Sequence, residues 1–446
     1  MKETSKTVVC RKEHTERLKH PIVIEGGTYL IYEGEIKLHC EHNDILLHGK
    51  VEYKLVRYPK VFISGRIISV SDSPRIHDFA YQILIGGRDC GSIVINDSTI
   101  SSDPEKSFAY GVSRDFFWPI EDTEPDYLLF AIPNMRELFG GELLMDVKGT
   151  NTRRSMDRFL ISKTNPFLAI DKVEDFKQRF RQLKIDGQYD ILYTGRLDLC
   201  QQLSFKEFKY IIPVFLSFIN GRKAGTIMNA GMVDGRPVFI DFSQETIEPY
   251  QYVSSWSSIH FPVFKDIWRK FNELWNDELD RDFLITVIHW YVESNSNAGK
   301  LEGSIILMQT ALELIFNWLV VEHLRLIDKK SAKRLSAEQK IAYILAQLNV
   351  PINIPELYNS LSSHLGYDNG PKAITEIRNA LVHGNVNKRR KMLIVSSEVT
   401  FQTLHLGLWY VELSILFILD YKGLYNNRTS VNKWTDSGER VPWAIK

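Results

Sequence analysis

Tyr252-Val253-Ser254-Ser255-Trp256-Ser257-Ser258 is the stretch at which this chain changes character, and it decides the fold class. It is short, polar and rich in serine, as a joint between two regions would be. Immediately after it Phe264, Ile267, Trp268, Phe271 and Trp275 recur at spacings of three and four, the period of a helix with one buried stripe. Such patterns continue almost to the end and predict helices over about 262–277, 282–294, 301–326, 337–348, 356–364, 371–383 and 400–421. Ser336 and Gln339 form a capping box ahead of the fourth. Before the joint the chain reads differently. From about Gly27 to Ile161 it runs in β-branched and aromatic stretches such as Val61-Phe62-Ile63-Ser64 and Ser92-Ile93-Val94-Ile95, broken by turn formers. Phe176, Phe180 and Leu183 mark one short amphipathic helix, and Tyr210 to Phe242 holds two apolar runs with the hairpin signals Asn220-Gly221 and Asp234-Gly235. The expectation is an α+β protein: a β-rich, sandwich- or barrel-like N-terminal region followed by an all-helical C-terminal one. Boundaries are expected at 1–165, 166–255, which continues the N-terminal region, 260–425, and a polar tail 426–446 that packs late or stays mobile.

Composition bounds the function classes. The 446 residues are 44% hydrophobic and 12% aromatic, enough for more than one core. Fifty-five basic and 55 acidic residues cancel, so any affinity for a polyanion must come from a local patch. Cys10, Cys40, Cys90 and Cys200 are scattered without C-x-x-C pairing, which fits free thiols in a reducing compartment. Met1-Lys2-Glu3-Thr4-Ser5-Lys6 lacks the apolar run of a signal peptide, and a cytoplasmic location is expected. Leu404 to Tyr421 is apolar enough to be mistaken for a membrane span, but Glu412 in its middle favours a buried or dimer-facing helix.

The chemistry concentrates near the C-terminus, in Arg378-Asn379-Ala380-Leu381-Val382-His383. Asp368-Asn369-Gly370-Pro371 offers a cap and a first-turn proline, so a helix should start there. Ile374, Ile377 and Leu381 give it a buried stripe that leaves out Arg378, Asn379 and His383. Asn379 and His383 stack one turn apart, whereas Arg378 and His383 are about 140° apart on an ideal helix. Convergence therefore needs Arg378 to reach round or the last turn to loosen, and Gly384 and Asn385 can supply the loosening. An arginine and a histidine together can hold a phosphodiester and move a proton on it without a metal or any other cofactor. From Ile377 to Ser397 there are five basic residues and no acidic one, Lys388, Arg389, Arg390 and Lys391 among them, as RNA binding or an ordinary solvated loop would require.

The Arg378-Asn379-x-x-x-His383 string, preceded by the apolar helix Met308-Gln309-Thr310-Ala311-Leu312-Glu313-Leu314-Ile315-Phe316 with its lone acid, resembles the HEPN ribonuclease superfamily. It looks most like the Apea-like branch associated with abortive-infection and anti-phage proteins. The resemblance covers roughly the last two-fifths of the chain and implies a HEPN-like helical bundle. It also implies that Arg378 and His383 are the catalytic pair, that Asn379 is the polar residue commonly following the arginine, and that Glu313 is an acidic residue on an earlier helix. Metal-independent RNA cleavage by a homodimer follows from it. An N-terminal region that answers to a phage-derived or cellular activator is the corresponding expectation for the rest.

Other readings compete. The helical region could be a non-catalytic dimeric module that binds RNA or another ligand, with a structural Arg–His pair; alternatively, function could lie in a ligand-binding β-region. Glu313 needs a partner, either a backbone or tyrosine group or Arg378. His289 and Glu293 could be an acid–base pair or a helix-stabilising contact. His39-Cys40-Glu41-His42 and His48 look like metal ligands, but on a strand they would face both sides and no metal site is expected. Gly86-Gly87-Arg88 reads as a hairpin turn rather than a phosphate loop.

Overall fold

Alternation in the first β-rich stretch closes a barrel. In the computed structural model, residues 16–24, 26–41, 43–71, 80–138, 140–148, 151–163, 167–199, 203–257, 264–296, 300–366, 369–382, 386, 390, 395–430 and 438–444 are described. Strands β1 (Thr28–Cys40), β2 (Asn43–Lys54), β3 (Lys60–Val70), β4 (Ala80–Ile85), β5 (Arg88–Thr99) and β6 (Phe108–Ser113) are joined in the closed order β1-β2-β3-β6-β5-β4. Ile36, Leu38, Ile45, Leu47, Val51, Val61, Ile63, Ile83 and Ile95 fill its interior. The Gly86-Gly87 turn, with φ of 57° and 77°, links β4 to β5 as a hairpin.

A second sheet takes strands from both sides of residue 165, so the expected boundary there is not a break in the fold. Its order is β7-β14-β13-β8-β12-β11-β10-β9. These strands are β7 (Phe117–Pro119), β8 (Tyr127–Pro133), β9 (Glu142–Lys148), β10 (Asn151–Ser162), β11 (Leu168–Lys172), β12 (Ile191–Asp198), β13 (Ile227–Val233) and β14 (Arg236–Asp241). Barrel and sheet share one core, in which Tyr53 lies 5.2 Å from Phe242. Helix α1 (Phe176–Asp186) buries Phe176, Phe180 and Leu183, as its spacing predicts.

The expected hairpin at Asn220-Gly221 is instead the end of a helix, α2 (Phe205–Asn220). Phe208, Ile211, Ile212, Phe215, Leu216 and Ile219 are buried in the i, i+3, i+4, i+7, i+8, i+11 pattern of one helix face, a helical period that outweighs the strand propensity of the run. Gly221 ends it at φ 70°. Asp234-Gly235 does make the expected hairpin, with φ of 49° and 78°.

Two compact units result, the first formed by residues 1–135, 140–212 and 224–251, the second by 136–139, 213–223 and 252–446. The second unit is helical: α3 (Phe264–Trp275), α4 (Glu278–Asn295), α5 (Lys300–Ile315), α6 (Lys329–Ala332), α7 (Ala337–Gln347), α8 (Asn359–Leu365), α9 (Gly370–Val382) and α10 (Ser397–Ile418). Past Ile315, α5 widens into a π-helix over Phe316–His323, which buries Phe316 and the consecutive residues Trp318 to Val321. Two helices, Lys300–His323 and Ser397–Ile418, are long and apolar enough to cross a membrane by length and composition, yet 61% and 83% of their apolar windows are buried within the protein.

Glu412 on α10 owes its burial to a partner that the sequence does not flag. Arg428 meets it through Nε to Oε2 and Nη2 to Oε1, both at 2.7 Å, with exposures of 4% for the arginine and 0% for the glutamate. The Trp256 N–H and the Tyr291 hydroxyl also donate to Oε1, at 3.0 and 2.5 Å. Arg428 Nη2 further reaches Ser254 O and Asn295 Oδ1. Ser255, Trp256 and Ser257 are therefore buried within the second unit rather than forming a solvated joint. The start of the expected tail, Asn426 to Arg428, is packed: the Asn426 N–H and side-chain amide donate to Trp256 O and Ser255 O.

Candidate functional site

The last turn of α9 carries the candidate pair. Asn369 accepts from the Lys372 N–H at 2.7 Å and caps the helix, which sets Gly370 and Pro371 in its first turn. Ala373, Ile374, Ile377 and Ala380 form the buried stripe, while Leu381 is half-buried. The helix packs on α5, α7 and α10. Its start comes so close to α10 that a Cβ on Gly370 would sit 2.3 Å from the Tyr410 hydroxyl. That hydroxyl is buried without a partner among the described residues, and burial holds it well above the usual tyrosine range.

Arg378 and Asn379 are both half-buried. Arg378 Nη1 donates to Asn379 Oδ1 at 3.3 Å, while its Nε is buried and meets no acceptor among the described residues. A buried, unsatisfied donor on an always-charged side chain costs about 1–3 kcal/mol or more. An anion would satisfy it. His383 lies outside the described residues, as do Lys388, Arg389 and Lys391; Arg390 is exposed.

Glu313 is half-buried on α5 and accepts from Gln309 Nε2, one turn earlier, at 3.2 Å. No ion pair joins it to Arg378, so the expectation that it holds the arginine in place is not met. Its partner is instead Gln309, one helical turn away at the i, i+4 spacing. Gln309 Oε1 is buried and has no partner among the described residues.

The other constellations resolve as local contacts. His289 Nδ1 lies 3.9 Å from Glu293 on one exposed turn of α4. His39 Nδ1 pairs with Asp44 Oδ1 at 2.5 Å across the β1–β2 hairpin, and His42 lies outside the described residues. Of the cysteines, Cys40 and Cys90 are free, and burial pushes the Cys90 thiol up to about 11. Cys10 and Cys200 lie outside the described residues.

With this geometry in place, two family models match the chain: the YopA C-terminal domain over residues 277–439 and the YopA central domain over residues 121–253. The C-terminal match spans Glu313, the Arg378–His383 string and the Glu412–Arg428 pair. A curated relative, the SPbeta prophage-derived uncharacterized protein YopA of Bacillus subtilis (strain 168), is 28% identical over 288 residues. That similarity covers 63% of this chain and 64% of the relative. No solved structure matches.

Proposed function

We propose that the helical unit is a metal-independent endoribonuclease acting as a homodimer in the cytoplasm. The observation that carries this reading is the Arg378 guanidinium, half-buried at the end of α9 with its Nε lacking an acceptor, in the same string as His383. Such a group is set to receive a phosphodiester oxygen. In the reaction the ribose 2′-hydroxyl loses its proton to one His383, and its oxygen attacks the adjacent phosphorus. The bond from phosphorus to the 5′-oxygen breaks as that oxygen takes a proton from His383 of the second protomer. Arg378 from each protomer stabilises the phosphorane charge, and Asn379 steadies Arg378. The products are a 2′,3′-cyclic phosphate and a 5′-hydroxyl, and DNA is not cut because it lacks the 2′-hydroxyl.

Exposed Arg390, with its basic neighbours in sequence, supplies a local attraction for RNA that the neutral chain as a whole lacks. A role in anti-phage defence, with the β-rich unit receiving the activating signal, rests on the HEPN resemblance and on the prophage origin printed in the relative's name. The test is incubation of the purified protein with total RNA in EDTA, with mapping of fragment ends. Cyclic-phosphate ends that fall by about 100-fold or more in both Arg378→Ala and His383→Ala, with fold and dimer intact, are expected. Fragments formed equally by the wild type and both variants would sink the reading. If wild type is inert, repetition in phage-infected extract decides between an enzyme awaiting its activator and a binding module.

A further inference from the structure

The outer face of the barrel carries residues that the helical site leaves unused. On β3, β6 and β5, the residues Val61, Ile63, Ser113, Ile93 and Ile95 point inward and are buried. Their alternates therefore face outward. Phe62 pairs with Val112, and Val112 with Val94, which makes one apolar row across three strands. Val61 pairs with Ser113, so the adjoining row brings Lys60, Arg114 and Ser92 together. Solvent-facing strand positions are ordinarily polar, yet Val94 is 51% exposed. Between the rows, Lys60, Ser92, Val94, Asn96, Val112 and Arg114 line an open groove of about 300 Å³.

Charge at this groove is unspent. Lys54 and Arg66, on β2 and β3, are paired with Glu52 and Glu105, whereas Lys60 and Arg114 have no carboxylate partner among the described residues. Asp115, the acid beside Arg114, is occupied by the Ser92 N–H and hydroxyl, both at 2.9 Å, and by the Ser113 hydroxyl at 3.4 Å. The Lys60 ammonium stands 5.5 Å over the Phe62 ring, which stacks on Tyr110 at 5.8 Å.

We infer that this groove binds a free nucleotide. Two cations at one end suit a phosphate monoester, and the Val94–Val112 floor suits the face of a planar base. Asn96, whose amide is both donor and acceptor, lines the same groove and suits a polar edge of the ligand. A bare anion would leave the apolar floor in water, and a purely apolar ligand would desolvate Lys60 and Arg114 without return. The inference is independent of the ribonuclease reading.

Titration calorimetry of the full-length protein with AMP, GMP, CMP and UMP, against inorganic phosphate and hexauridylate, tests it. At least one monophosphate should bind about tenfold or more tightly than inorganic phosphate. Lys60→Ala and Arg114→Ala should each weaken that binding by about tenfold. Val94→Asp should weaken it as well, with Arg66→Ala and the melting curve unchanged. Lys60→Met and Arg114→Met keep the stems packed and stand in if either alanine variant misfolds. The inference is overturned if no monophosphate binds at millimolar concentration, if phosphate alone binds as well, or if binding ignores all three substitutions. Hexauridylate binding with no mononucleotide binding would also overturn it, in favour of a face that takes a nucleic-acid strand.

Discussion

Arg378 and Arg428 belong to the same helical unit and have opposite energetic signatures. Arg428 and Glu412 satisfy one another in the interior, and removing one partner of such a pair costs about 3–5 kcal/mol. Arg378 instead carries a buried donor with no acceptor among the described residues. Arg378→Met should therefore leave urea stability unchanged or slightly raised while abolishing cleavage, whereas Arg428→Met should lower stability by about 3–5 kcal/mol. A destabilised Arg378→Met would mean that the arginine is structural. His20 offers a test on pH. Its Nε2 lies 2.8 Å from Met228 O, and its Nδ1 lies 3.1 Å from the Ile22 N–H and 3.2 Å from Ile22 O, so backbone groups hold the ring on both sides. Burial lowers its pKa in the folded state. The unfolded chain then takes up the proton first, so the stability contributed by neutral His20 is present above about pH 6.5 and is lost as pH falls below it. Melting followed between pH 7.5 and 5.5 should show that loss, reduced in His20→Gln; an identical pH profile in the variant would exclude His20 as its source.

At the scale of elements, the seating of α9 depends on Gly370. Gly370→Ala would place a methyl group against the Tyr410 hydroxyl and Leu406, at an expected cost of about 1–3 kcal/mol. Tyr410→Phe removes a buried hydroxyl that has no partner among the described residues and should be close to neutral, and it should recover part of the loss in the double variant. Additive losses in a double-mutant cycle would show that the hydroxyl is not what the methyl meets. The stripe of α9 could be read in advance because Ile374 and Ile377 repeat at a helical spacing, as do the residues that mark the other six predicted helices of the second unit. The helix at Phe205–Asn220 was missed although its spacing is equally regular. There the β-branched and aromatic residues and Asn220-Gly221 mimic a strand and its turn, and the same dipeptide serves as a helix stop. Glu313 shows a different limit: its partner Gln309 lies one turn away at i, i+4, whereas Arg378 lies on another helix and no local pattern ties the two together.

Across the whole molecule, the polarity of Tyr252 to Ser258 marked the correct change of architecture but concealed a structural role. Serines and an isolated tryptophan look solvated one residue at a time, and their burial follows from Glu412 and Arg428, which lie more than 150 positions later. Long-range pairing of this kind leaves no local pattern to read. Deletion of residues 426–446 removes Arg428 and should reduce helical content and abolish a cooperative urea transition of the helical unit, as judged by far-UV circular dichroism. A shortened protein with full helicity and an unchanged midpoint would show that the pair is dispensable.

The same pair sets an order of events on the ribosome. Arg378 and His383 leave the exit tunnel before Arg428, and until that arginine follows, the Glu412 carboxylate has no countercharge with which to enter the interior. A nascent chain therefore carries the whole candidate cleavage string without the packing that would hold it. Protease resistance of stalled chains of increasing length, carried on an appended linker, should appear abruptly once Arg428 has emerged from the tunnel.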